Sequence, residues 1–181
     1  MLNSKKGVAA MCRLSRSNLL LFAAAVVAGS CLHFLHELLP WTVTALFAPV
    51  SESLWEHAKL LYWPSLVTGL LLTQGGERRL GARCLALLLG TAVMLAGGYL
   101  YHITLSGESL LFDILLYVLS MAVCLLLPYF LDAPLWTQGQ DLLVLLVVAL
   151  GAALLLFTFL PPAGLLFTDL SGARTWSSYP Y

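Results

Sequence analysis

The sequence predicts an all-α fold: a polytopic transmembrane helix bundle of about five spans, amino terminus inside and carboxyl terminus outside. Three observations carry that prediction. First, 60% of the 181 residues are hydrophobic and only 10% are charged, against roughly 25% charged in a soluble domain. With a mean hydropathy of +0.91, the chain lacks the polar residues to cover a water-facing surface. Second, five apolar stretches approach the length of about 20 residues that a helix needs to cross hydrocarbon. Third, the basic residues cluster. Lys5, Lys6, Arg13 and Arg16 precede the first stretch, and Arg78, Arg79 and Arg83 lie at the start of the third. The loop SGES between the third and fourth stretches holds no basic residue. Basic loops stay in the cytoplasm, which sets the orientation.

The first span is expected over about 18–39. A basic head, an apolar run and small residues before Cys31 also resemble a signal peptide. The apolar run continues past Cys31 as CLHFLHELL, so a retained span is expected. The segment PWTVTALFAPVS carries Pro40 and Pro49 and reads as a short interfacial loop. The second span is expected over about 53–73, opened by Ser53-Leu-Trp-Glu56 as a capping box and interrupted by Pro64, which removes the hydrogen bond to the Leu60 carbonyl. The third is expected over about 80–105 and contains Gly97-Gly98, a place for close helix contact. The fourth and fifth follow at about 110–131 and 142–160. Backbone groups in lipid must be bonded internally, so each span should be helical. No repeat or linker divides residues 1–181, which read as one integral membrane domain.

Composition also excludes classes of function. Net charge is zero, which gives nucleic acid no electrostatic hold. The four cysteines are scattered without a CxxC pair, against a disulfide framework or a zinc ribbon. Membrane lipids are the expected surroundings, and a second copy or another membrane protein is a candidate partner. A cytoplasmic (inner) membrane is the expected location.

The ionisable residues are not spread evenly. With this orientation His33, His36, His57 and His102 all fall near the outer rim, as do Glu37, Glu52, Glu56, Glu108 and Asp113. Intramembrane ionisable groups are functional candidates by default. At about 100° per residue His33 and Glu37 share a helix face, and Glu52 and Glu56 are likewise four apart. Imidazole with carboxylate suits zinc or another divalent metal. A catalytic zinc takes about three protein ligands and leaves room for water. The candidate ligands are His33, Glu37, His57, His102 and Asp113, and the candidate catalytic carboxylates are Glu56 and Glu52, one of them as general base. The ordinary alternatives are helix caps, a Glu56–Lys59 pair worth a few tenths of a kcal/mol, and interhelical hydrogen bonds.

Three stretches carry a family resemblance: HFLHE (33–37), FAPVSESLWEHAKLLYWP (47–64) and FTFLPPAGLLFTD (157–169). They resemble an uncharacterised family of small bacterial multi-span membrane proteins, a domain of unknown function. The resemblance implies recurring roles for His33, Glu37, Glu52, Trp55, Glu56 and His57. The family pattern has Asn at the place of Ser51 and an aromatic at the place of His36, which removes His36 from a shared site. It implies the architecture and no activity. The functional expectation is an outward-facing His/carboxylate metal site, in a metal-dependent amide or ester hydrolase of a lipid or lipid-linked substrate. Two alternatives stay open: a non-catalytic membrane scaffold or accessory subunit, and a proton or metal-ion carrier.

Overall fold

The computed structural model describes residues 16–74, 79–131 and 139–171. Among these residues every regular element is helical. Helix α1 spans Arg16–Leu38, α2 Thr42–Ala45, α3 Leu54–Gln74 and α4 Leu80–Gly98. A π-helical segment, Tyr99–Thr104, continues α4. Helix α5 spans Leu110–Leu126 and tightens into a 3-10 turn at Leu127–Tyr129, α6 spans Gln140–Phe159, and a 3-10 turn forms at Leu165–Phe167. Lys5, Lys6, Arg13 and Arg78, on which part of the charge reading rests, lie outside the described residues.

Among the described residues, four helical segments are long and apolar enough to cross a membrane: Arg16–Leu38, Leu80–Thr104, Leu110–Tyr129 and Gln140–Phe159. The second stretch expected to span is the exception. Helix α3 is long enough at 21 residues but carries Glu56, His57 and Lys59. Packing makes that composition tolerable, because α3 contacts α1, α4, α5 and α6. It buries Ala58, Leu60, Leu61, Tyr62, Ser65 and Thr68, so its polar groups meet protein rather than lipid. The outer helices expose Leu20, Val27, Leu142 and Val148 instead, as surfaces solvated by hydrocarbon should.

Close contacts set the register. Helices α1 and α3 run antiparallel. At Gly29 an added Cβ would collide with the Leu60 carbonyl oxygen and the Tyr117 hydroxyl. That carbonyl is the one Pro64 cannot satisfy, and the missing side chain lets α1 approach it. On the opposite face of α3, the Tyr62 hydroxyl donates to the Val147 carbonyl of α6 at 3.0 Å. These contacts bring the C-terminal end of α1, the N-terminal ends of α3 and α5 and the C-terminal ends of α4 and α6 together at one end of the bundle. Arg79, which donates to the Pro128 carbonyl at 2.9 Å, and Arg83, over the Tyr129 ring, lie at the other.

Candidate functional site

The site begins with how α3 starts. Ser53 caps the helix, its Oγ accepting from the Glu56 amide at 3.3 Å. The reciprocal half of the expected capping box does not form. The Glu56 carboxylate turns away and accepts from the Val50 amide at 3.0 Å and from Lys59 Nζ at 2.6 Å. Thr158 of α6 places its hydroxyl 3.0 Å from the other carboxylate oxygen. Lys59 is fully buried, and its ammonium also donates to the carbonyls of Ala45 and Ala48 at 2.8 and 3.4 Å. All three of its donors are matched. This is a buried, networked pair rather than the weak surface pair that the spacing alone suggests, and it occupies the group proposed from sequence as general base.

His57, the next residue, faces the other way. Its Nδ1 donates to the Ser53 carbonyl at 2.9 Å, since a carbonyl can only accept. In the neutral ring Nε2 then holds a lone pair, 3.3 Å from Glu52 Oε2. Two lone-pair atoms so placed call for a cation, a proton or a metal ion. His33 of α1 completes the group, its ring centroid 5.2 Å from that of His57 and its buried Nδ1 without a hydrogen-bond partner. One ligand atom each from His33, Glu52 and His57 lie within 4.8 Å of one another. Glu52 sits outside the helix and half exposed. The hydrogen bond to His57 holds its carboxyl below the usual value, against partial burial, and positive charge on His57 and His33 adds to the effect.

A second His–carboxylate pair stands in the same cavity. His102 lies in the π-helical segment. Its Nδ1 donates to the Gly107 carbonyl at 2.9 Å, and its Nε2 is 2.7 Å from Asp113 Oδ1. The chain folds back between them through Ser106, a non-glycine residue at φ 52°. Gly107 lies against the Tyr101 ring, where any side chain would collide. Tyr101 in turn stacks on Phe112 at 3.7 Å between centroids. Such single π turns occur often at functional sites, and here one swings His102 toward α5.

Both pairs line one cavity of about 980 Å³, together with His33, Glu108 and apolar residues such as Leu60, Met94 and Leu116. Of the sequence-derived candidates, His33, Glu52 and His57 form the close group, and His102 with Asp113 forms the facing pair. Glu56 does not line the cavity. Glu37 is exposed beyond it, and the shared helix face expected for His33 and Glu37 does not bring Glu37 to the cavity. His36 pairs with Thr44 Oγ1 at 3.1 Å, away from the group. Glu52 and Glu56, four apart in sequence, do not share a helix face, because Glu52 precedes the first helical residue, Leu54, and turns to His57 instead.

Sequence reasoning missed three contributors: Lys59 as a buried anchor, Tyr117 beneath the cavity, and the 165–171 segment. The Leu170 amide donates to the Glu52 carbonyl at 3.3 Å, and Phe167 packs on Trp55 and Phe157. The signal was present, because the three quoted stretches 33–37, 47–64 and 157–169 converge at this one end.

The model of a family of unknown function (DUF6512) matches residues 12–175. No curated protein and no solved structure matches the chain.

Proposed function

Because the chain belongs to the DUF6512 family, whose function is unknown, we propose a role from its own residues: a membrane-embedded divalent-metal centre, zinc by the chemistry of its donors, serving hydrolysis of an amide or ester. The observation that carries the reading is the His33–Glu52–His57 group, with His57 Nδ1 already tied to a backbone carbonyl and His33 Nδ1 buried and unpartnered. A ligating histidine characteristically donates its other ring nitrogen in this way. Two histidines and one glutamate form a donor set used by catalytic zinc, with a position left for water. When bound, zinc would lower the pKa of water to about 7 and polarise a carbonyl.

The chain's own residues would supply the proton transfers. Asp113, held by His102, takes the proton from water as its oxygen bonds to the carbonyl carbon. The pair returns that proton to the nitrogen or oxygen that leaves when the C–N or C–O bond breaks. Glu56 keeps its structural partners. The same reading carries the topology. Helix α3, about 31 Å long at 1.5 Å per residue, counts as a fifth span, with the basic end in the cytoplasm and the site at the outer leaflet of a cytoplasmic membrane.

Metal analysis of the purified protein tests the centre. The expected result is about one zinc per chain in wild type, near none in His57→Ala and His33→Ala, and full occupancy with lost turnover in Asp113→Asn. Wild-type protein without metal, or His57→Ala with undiminished metal, would overturn the proposal and leave a scaffold or a proton carrier in its place.

A further inference from the structure

We propose that the cavity takes a single-chain amphiphile with a neutral or cationic head, entering sideways from the membrane between α1 and α5. This rests on the hydrolytic reading for what happens to the head, though the geometry of entry stands apart from it. Helices α1 and α5 meet low in the bundle, where the Tyr117 hydroxyl donates to the Val26 carbonyl at 3.0 Å and Gly29 seats against Tyr117. In the next two turns toward the site, the residues that should face each other line the cavity instead: Ser30 and Phe34 on α1, Leu110, Asp113 and Ile114 on α5. Phe34, Leu110 and Ile114 are 55%, 74% and 50% exposed while also walling the cavity. The side of the cavity is therefore a slot on the face that a bilayer would cover.

The occupant follows from chemistry and charge. The inner wall of Leu60, Met94 and Leu116 is apolar, and the polar groups sit at the rim, so a ligand that fits is apolar at one end and polar at the other. The volume of about 980 Å³ lies at the upper end of small-molecule sites, roughly 300–1,000 Å³, enough for a chain with its head. Three carboxylates, Glu52, Glu108 and Asp113, line it, and among the described lining residues there is no lysine or arginine. Phosphate recognition is built on those cations. With a dication held by neutral His33 and His57 and with His102 set against Asp113, the three carboxylates leave no surplus of positive charge for a phosphate, which disfavours an anionic phospholipid and favours a long-chain amide or ester with an uncharged or amine-bearing head.

Photolabelling of the full chain in lipid nanodiscs tests this. The probe is a long-chain fatty amide carrying a diazirine near the end of its tail. Labelling is expected in peptides covering 26–34 and 110–117, to fall at least fivefold in Ile114→Trp and Phe34→Trp, and to be unchanged in Leu142→Trp on the outer face of α6. Excess unlabelled amide should compete, and an alkyl phosphate of equal length should not. Labelling spread evenly over the outer helices, or insensitive to both slot variants, would overturn lateral entry. Equal competition by the phosphate would overturn the choice of head. Zinc content of the same preparations reports on the metal reading separately, since the labelling needs no metal.

Discussion

Glu56 and His57 are neighbours in sequence and stand on opposite sides of the same helix start. On the Glu56 side every group is answered: the carboxylate by Val50, Lys59 and Thr158, the ammonium by Glu56, Ala45 and Ala48. On the His57 side the groups meet only through a shared cation, which a proton on Nε2 supplies when His57 bonds to Glu52. Nε2 faces a carboxylate across 3.3 Å, and His33 Nδ1 is buried without a partner. Burying a polar group costs free energy unless it is hydrogen-bonded. The satisfied face is therefore explained by folding alone, and the unsatisfied face asks for an occupant. Polarity near the membrane does not mark a site; polarity left open does.

The sharpest way to break the comparison is to open the closed face. Lys59→Met should leave the Glu56 carboxylate buried without its cation, and loss of one partner of a buried pair costs about 3–5 kcal/mol. Thermal unfolding in detergent should show the largest drop of any single substitution discussed here. Lys59→Met combined with Glu56→Gln should recover part of it, because the second change removes the stranded charge. A drop no larger than that of Glu52→Gln would mean the two faces do not differ in kind.

The next effect fills the open face. Saturating zinc, at about 100 times its dissociation constant, should stabilise the wild type by about 2.7 kcal/mol and leave His57→Ala unmoved. Titration of the unfolding temperature with zinc reads this directly. Glu56→Gln should be less stable than wild type yet gain a similar increment, because its side chain does not line the cavity.

A third change alters the spacing of the two faces. Gly29→Ala sets a methyl against the Leu60 carbonyl and the Tyr117 hydroxyl. Overpacking of this kind costs about 1–3 kcal/mol. Because it pushes α1 from α3, it should also weaken zinc binding by separating His33 from His57, with no ligand altered. Gly69→Ala is the control: its methyl would meet only Arg83 Cδ at 3.8 Å.

How much of this the residues announce depends on the force involved. The order of long helices and their starting points can be read from the apolar runs, because backbone groups in lipid must be bonded internally, but the ends of α4 at Gly98 and of α5 at Leu126, where π and 3-10 turns take over, cannot. The gathering of His33, His57, His102 and Asp113 at one end is legible too, through helix direction alone. The partners of each are not. Glu52 and Glu56 share a face only if both are helical, and the helix begins at Leu54, so Glu52 is free to turn to His57. Lys59 is buried because the 45–48 segment offers it two carbonyls, a tertiary fact that no local spacing encodes. The π-helical segment that aims His102 leaves no composition signal in YLYHIT. Helix α3 reaches the length of a span while carrying Glu56, His57 and Lys59, because neighbours hold those polar side chains.

The smallest expected effect tests the electrostatics of the open face. The hydrogen bond to His57 lowers the Glu52 carboxyl from its ordinary value of 4.5, with the charges of His57 and His33 adding to it. A lowered folded value means that the unfolded chain binds the proton more readily. The stabilisation from this carboxylate is then fully present above about 4.5 and is lost as pH falls through the lower folded value. Glu52 is half exposed, so solvent screening keeps the contribution below about 1 kcal/mol. Comparing wild type with Glu52→Gln in metal-free buffer should show a small gap at pH 6 that closes on acidification below pH 4.5. A gap that instead widened toward acid would mean the proton is held between His57 and Glu52 in the opposite sense, with the carboxyl raised, and would turn the reading of this face from a metal site toward a proton site.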